Sequence, residues 1–234
     1  YDRLKAILDE KKSSFIPDNA VQEQLGRLLL LADAAHSCGA DYNGNPAALA
    51  TDVAVYSFHA VKNLTTAEGG AIAFNFDAFE NAELHRHLKV LALHGQTKDA
   101  FSKMQKGSWE YDVTTAGFKY NMPDVLAAIG LAQLRKYGQM LSRRRTIDNI
   151  YREKLGQQPW AQLPILEDEK RVSSFHLFPL RIKGANEAQR NEIIKGIAEL
   201  DVAVNVHFKP LPMMSFYKDL GYNISNYPVA YDNY

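Results

Sequence analysis

Apolar residues recur along this chain with two periods, one near 3.6 and one near 2, and their alternation lays out an α/β protein. Leu4, Ile7 and Leu8 continue a helical pattern already under way at Tyr1, with no cap, initiating methionine or signal peptide before it. The sequence therefore reads as a piece that lacks its N-terminal part. A polar stretch around Pro17 is predicted as a loop, and Val21 to Gly26 as a short helix. Arg27 to Asp33, built on Leu28 to Leu31, is predicted as a fully buried strand that ends in a carboxylate. After a turn at Gly44-Asn45-Pro46, the β-branched and aromatic run Asp52 to Phe58 predicts a strand, and Gly70 to Phe74 predicts another.

Helical periodicity returns from Asp77 to Leu93, with Phe79, Leu84, Leu88 and Leu91 on one broad face. Gln96 to Val113 is polar and aromatic, and reads either as a loop over a site or as a solvated excursion. Asn121 is predicted to cap a long helix with Pro123 in its first turn, running to Leu155 with interruptions at Gly130 and Gly138. Gly156 to Pro164 then separates a second α/β pattern, so the predicted domains are 1–156 and 157–234. In the second, Phe175 to Ile182 and Val202 to His207 are predicted strands, on either side of a helix from Glu187 to Leu200 capped by Asn186. The tail from Tyr222 to Tyr234 ends without completing this small domain, so a C-terminal part is expected to be missing as well.

Composition narrows the classes. With 46% hydrophobic residues in 234, the chain has ordinary globular material for one large domain or one and a half. Twenty-seven basic residues balance 27 acidic ones, and the basic run Arg143-Arg144-Arg145 reads as the solvated face of a helix. Nucleic acid is therefore not expected as a partner. The single cysteine, Cys38, excludes an intrachain disulfide and points to a reducing compartment, which makes the cytoplasm the default location. No apolar run approaches the roughly 20 residues that cross a bilayer. His85, His87 and His94 stand two and seven residues apart, and the spacing of two keeps the three from sharing one helix face, so no metal site is predicted.

The chemistry concentrates on Ser57-Phe58-His59-Ala60-Val61-Lys62-Asn63, followed by Glu68-Gly69-Gly70. Lys62 lies on the connection between two predicted strands, where sites are commonly built. A lone lysine there is most often a surface residue of a hairpin. As a nucleophile it needs an environment that favours the neutral amine, and its most economical use is a Schiff base with a carbonyl. Asp33 ends the earlier strand at the carboxyl end, where ligands bind in parallel α/β sheets. By itself it could equally cap a helix. Ala34, Ala35, Ser37, Gly39 and Ala40 are small, as close approach to a flat ring requires.

The segments Asp33-Ala34-Ala35-His36, Ser57 to Gly70 and Gly117 to Asp124 together resemble the DegT-type nucleotide-sugar aminotransferases, pyridoxal-phosphate enzymes of fold type I. The resemblance implies a three-layer, mainly parallel large-domain sheet without its N-terminal part, plus a small, incomplete α/β C-terminal domain. It implies pyridoxal 5'-phosphate held on Lys62 as a Schiff base, with Asp33 on the pyridinium nitrogen, His36 near the ring hydroxyl and Ser57 on the phosphate. Lys119 stands where the family usually has an asparagine that crosses a homodimer interface to the partner subunit's cofactor phosphate. Asn121 replaces a frequent substrate-contacting arginine. His59, Asn121, His207 and Lys209 are the implied substrate contacts, with Pro212 where a histidine is common. The implied reaction moves an amino group, from glutamate in most of the family, to a nucleotide-linked keto-sugar for amino-sugar and cell-surface polysaccharide synthesis. Related sugar dehydratases replace the lysine with histidine, so Lys62 argues against them. An inactive relative that serves as a binding or regulatory protein is the alternative.

Overall fold

The computed structural model describes residues 1–97 and 110–234. Their contacts divide into two units, one made of Tyr1–Ile147 with Ile165–His176, the other of Asp148–Pro164 with Leu177–Tyr234. In the first unit the chain begins with α1 (Asp2–Lys11) and α2 (Ala20–Leu25). Asn19 caps α2 by accepting from the Gln22 amide, and Gly26 closes it in the left-handed conformation that a side chain would disfavour.

Five strands follow: β1 (Leu31–Asp33), β2 (Asp41–Tyr42), β3 (Asn45–Pro46), β4 (Val53–Ser57) and β5 (Gly70–Phe74). One sheet has the order β1-β4-β5 and is mixed. β1 runs parallel to β4 with Asp33 opposite Val55, and β5 runs antiparallel to β4 with Gly70 opposite Ser57. Because side chains alternate, Leu31, Asp33, Val55, Ser57 and Ile72 share one face of this sheet, while Ala54, 1% exposed, lies on the other. The first face is open, with Leu31, Val55 and Ile72 all exposed.

This differs from the fully buried strand predicted over Arg27 to Asp33. The ladder covers only Leu31–Asp33, and Leu28, Leu29 and Leu31 are exposed. Among the described residues β1 is an edge strand with one face uncovered, which leaves those leucines without cover. Its start is held by Asp52, whose carboxylate accepts from both Nη atoms of Arg27 and from the Leu30 amide, each at 2.7 Å. Burial alone would raise the Asp52 pKa, but the Arg27 and Leu30 donors outweigh it and hold the carboxyl below its usual range.

Helix α3 (Asn81–Ala92) follows, and its end meets the returning chain at the bridges Leu93 with Lys119 and Gln96 with Val113. The loop predicted over Gln96 to Val113 falls mostly on residues 98–109, outside the described ones. The predicted long helix is two helices, α4 (Asp124–Leu134) and α5 (Tyr137–Leu155), and the break falls at Arg135 and Lys136 rather than at a glycine. Asn121 is not the cap. Its amide donates to the Ala92 carbonyl and its side chain accepts from Lys119 Nζ, so it is tied to the end of α3, and Pro123 takes the capping position. The first unit is completed by residues 165–176, where β7 (Arg171–Val172) joins β2 and β3 in an antiparallel sheet.

In the second unit, β6 (Ala161–Gln162) pairs antiparallel with β8 (Arg181–Ile182). Helix α6 (Glu187–Glu199) opens on a complete capping box, in which Asn186 and Gln189 exchange side-chain to backbone bonds. Short helices α7 (Ser215–Asp219) and α8 (Pro228–Asp232) follow. The strand predicted over Phe175 to Ile182 forms a ladder only at Arg181–Ile182, and Val202 to His207 forms none. Alternating β-branched residues make a strand only when a neighbour supplies the ladder, and no described residue pairs with 202–207.

Candidate active site

Two turns at the carboxyl ends of the parallel strands β1 and β4 carry Asp33 and Lys62 and form the candidate site. The first begins at Asp33. Its Oδ1 accepts from the Ala35 amide at 3.0 Å, the Ala34 amide donates to the Val55 carbonyl at 2.9 Å, and the Ser37 hydroxyl donates to the Ala34 carbonyl. Asp33 Oδ2 has no partner among the described residues, and the side chain is exposed on the same sheet face as Ser57. The carboxylate can therefore accept a further hydrogen bond.

The second turn carries Lys62. It is closed by backbone bonds from Phe58 N to Gly69 O at 2.8 Å, from Lys62 N to His59 O at 2.9 Å and from Thr66 N to Phe58 O at 2.9 Å. Thr65 donates to the Phe58 carbonyl and accepts from the Ala67 amide, and the buried Thr66 donates to the Glu68 carbonyl at 2.7 Å. Across the turn His59 Nε2 and Glu68 Oε1 stand 3.7 Å apart. Helix α4 packs against it at Gly130, where a Cβ would lie 2.9 Å from Thr66 Cγ2. Lys62 is half-buried, and no carboxylate lies within ion-pair distance of its Nζ among the described residues. Ser57 Oγ accepts from the His59 amide at 3.3 Å, which leaves its own O–H to donate outward.

The two turns are joined through residues more than 100 positions away. Asn63, beside Lys62, donates from Nδ2 to the Ser174 carbonyl at 2.6 Å, and its Oδ1 lies 2.9 Å from His176 Nδ1. Ser174 Oγ donates to the His36 carbonyl at 2.5 Å, and the His36 and His176 rings lie 4.4 Å apart. Tyr137 Oη donates to the Cys38 carbonyl at 2.6 Å, and burial together with Cys38 raises its hydroxyl pKa. Sequence reasoning did not find Ser174, His176 or Tyr137, because their partners are remote and no local spacing signals them. Nearness of Asn63 to Lys62 was the available clue.

The remaining candidates belong to other segments of the chain. Lys119 and Asn121 are both exposed and bonded to each other, Nζ to Oδ1, at 2.6 Å. One residue on, Met122 reaches the Lys62 turn, its Cε 2.8 Å from where a Cβ on Gly69 would stand. His207 and Lys209 belong to the second unit and are exposed there. No three His, Cys, Asp or Glu side chains cluster as metal ligands among the described residues. No helix among them is long and apolar enough to cross a membrane.

A primary amine without an ion-pair partner among the described residues, a carboxylate with an oxygen that can still accept and a hydroxyl that can still donate are groups that suit a pyridine aldehyde bearing a phosphate. The fit is chemical as well as topological. Residues 20–234 match the model of the DegT/DnrJ/EryC1/StrS aminotransferase family. Spr1654 of Streptococcus pneumoniae, assigned as a sugar aminotransferase and solved in its PMP form, superposes with a TM-score of 0.91 at 40% identity. That alignment covers 100% of this chain and 58% of Spr1654. The UDP-4-amino-4,6-dideoxy-N-acetyl-beta-L-altrosamine transaminase of Campylobacter jejuni is 34% identical over 191 residues, 82% of this chain and 47% of its own. The spore coat polysaccharide biosynthesis protein SpsC of Bacillus subtilis is 34% identical over 211 residues, 88% of this chain and 53% of its own. The chain thus spans about half the length of the curated relatives it matches.

Proposed function

Because the chain belongs to the DegT/DnrJ/EryC1/StrS aminotransferase family, with the fold of its type I pyridoxal-phosphate enzymes, we propose that the protein is an aminotransferase acting on a nucleotide-linked keto-sugar. The observation that carries this is Lys62, a half-buried amine with no ion-pair partner among the described residues, on a turn tied to the one that bears Asp33. Pyridoxal phosphate, when bound, supplies an aldehyde and an electron-withdrawing ring that lets the α-proton leave an amino donor. Lys62 Nζ would hold the aldehyde and, as a free amine, would take and return that proton. Asp33 Oδ2 would accept from the ring nitrogen and keep it protonated. Ser57 Oγ donates to the phosphate without adding charge, and His36 borders the ring. Lys119, supplied from the partner subunit of a homodimer, meets the phosphate as a point charge.

Glutamate as donor and a UDP-linked sugar as acceptor are part of the same proposal, the latter supported by the substrate named for the Campylobacter relative. His59, Asn121, His207 and Lys209 are the proposed sugar-nucleotide contacts, and the proposed setting is cytoplasmic synthesis of amino sugars for surface polysaccharide. Residues up to Gly156 form the proposed cofactor-binding domain and residues 157–234 the smaller one. The test is an absorption spectrum of the intact native protein saturated with pyridoxal phosphate. A visible band that Lys62→Ala removes, that glutamate discharges and that a UDP-keto-sugar restores is expected. A saturated protein without the band, or a Lys62→Ala variant that keeps it, would overturn the proposal.

A further inference from the structure

We infer that His176 is a positioning residue that acts through Asn63 to hold the Lys62 turn against the Asp33 turn, a role that rests on the reading of those two residues given above. The donors in this network can be ordered. The Ser174 carbonyl can only accept, so Asn63 must turn its Nδ2 toward it. Asn63 Oδ1 therefore faces His176, and His176 Nδ1 must carry a hydrogen and donate. Ser174 then passes the connection on through its hydroxyl to the His36 carbonyl, three residues past Asp33. One directed path runs from the imidazole through the residue beside Lys62 to the turn behind Asp33.

Burial makes this path hard to replace. Asn63 is 4% exposed and Ser174 2%, and His176 is half-buried, so a replacement donor for Asn63 has to come in at the histidine side of the pair. The segment that supplies Ser174 and His176 is itself fixed to the strand eight residues beyond Asp33, because β7 pairs with β2 and Val172 stands opposite Asp41. Arg145 secures it from helix α5, bonding Glu167 at 2.7 Å and lying over the Phe175 ring. Tyr137 adds a tie of its own from helix α5, since its hydroxyl donates to the Cys38 carbonyl at 2.6 Å, five residues past Asp33. A segment held this firmly sets the position of Asn63, and Asn63 is one peptide bond from the reactive lysine.

The decisive contrast is His176→Asn against His176→Gln. The asparagine amide nitrogen falls near the place of Nδ1 and can still donate to Asn63, whereas the glutamine amide reaches the place of Nε2 instead. Both variants keep a polar, hydrogen-bonding side chain. The intact native protein, saturated with pyridoxal phosphate, is mixed with glutamate, and the discharge of the visible band is followed for its maximum rate and its half-saturating glutamate concentration. The maximum rate of His176→Gln is expected to fall roughly tenfold, the equivalent of one misdirected hydrogen bond, with half-saturation and bound cofactor unchanged. His176→Asn is expected to stay within about threefold of wild type. Equal rates in the two variants, or a change in half-saturation alone, would overturn the inference. A wild-type protein without the band would bring down the reading of Lys62 and this inference with it, and the spectrum tells that case apart before any variant is mixed.

Discussion

Asp52→Asn is the substitution whose cost follows most directly from the structure. Three donors converge on the Asp52 carboxylate at 2.7 Å: Arg27 Nη1, Arg27 Nη2 and the Leu30 amide. An asparagine offers them one oxygen and sets an amide N–H₂ against at least one of them, while the Arg27 guanidinium loses its counter-charge. Charge-assisted bonds of this kind contribute about 1.5–3 kcal/mol each, and one partner left uncompensated in a mostly buried place costs a similar amount. The expected loss is roughly 2–3 kcal/mol, below the value for a deeply buried pair because Arg27 is partly open to water. The sign with pH is fixed by the direction of the shift. The folded-state pKa of Asp52 lies below 3.8, so its stabilisation is present above that value and is lost as pH falls through the folded-state pKa. Urea unfolding of wild type and Asp52→Asn, followed by circular dichroism at neutral pH and then stepwise into acid, reads both. A difference near 2–3 kcal/mol at pH 7 that shrinks in acid is expected. A difference under about 0.5 kcal/mol, or one that stays full-sized in acid, would refute the role given to this clamp between the starts of β1 and β4.

Gly95→Ala is expected to cost about 2–4 kcal/mol, because Gly95 has φ +73° and an added Cβ would lie 1.8 Å from the Thr115 carbonyl oxygen. The same urea titration measures it, and an effect under about 1 kcal/mol would mean that the close approach of residues 95 and 115 is wrong. Lys119→Ala is expected to leave stability within about 0.5 kcal/mol, since it breaks only an exposed bond to Asn121. It is expected to weaken the binding of pyridoxal phosphate severalfold, in a way that added salt diminishes, as read by equilibrium titration. Unchanged affinity would remove Lys119 from the phosphate site.

What the sequence disclosed was local. The carboxylate at the end of β1, the strand ending at Ser57, the strand after the turn glycines and the Asn186 cap all announce themselves within a few residues. What it concealed depends on pairings across the chain. β7 is two residues long and meets β2 from more than 100 positions away, so it leaves no periodic trace. His176 looks like an ordinary residue of the predicted strand, and Ser174 like one just before it, until Asn63 is set beside them. Asn121 has the right chemistry for a cap, but Lys119 and the end of α3 compete for it and win. Val202 to His207 has the right pattern for a strand, yet pattern alone does not create a ladder. Of the two turns that make the candidate site, each was therefore visible separately, and the polar link that joins them was not.

Borohydride reduction of the intact native protein saturated with pyridoxal phosphate, followed by peptide mass mapping, asks most directly which amine holds the cofactor. A stable phosphopyridoxyl mass on the peptide that contains Lys62, absent after prior treatment with glutamate, is the expected result. The same mass on Lys119, on Lys209 or on any other lysine, with Lys62 unmodified, would contradict it.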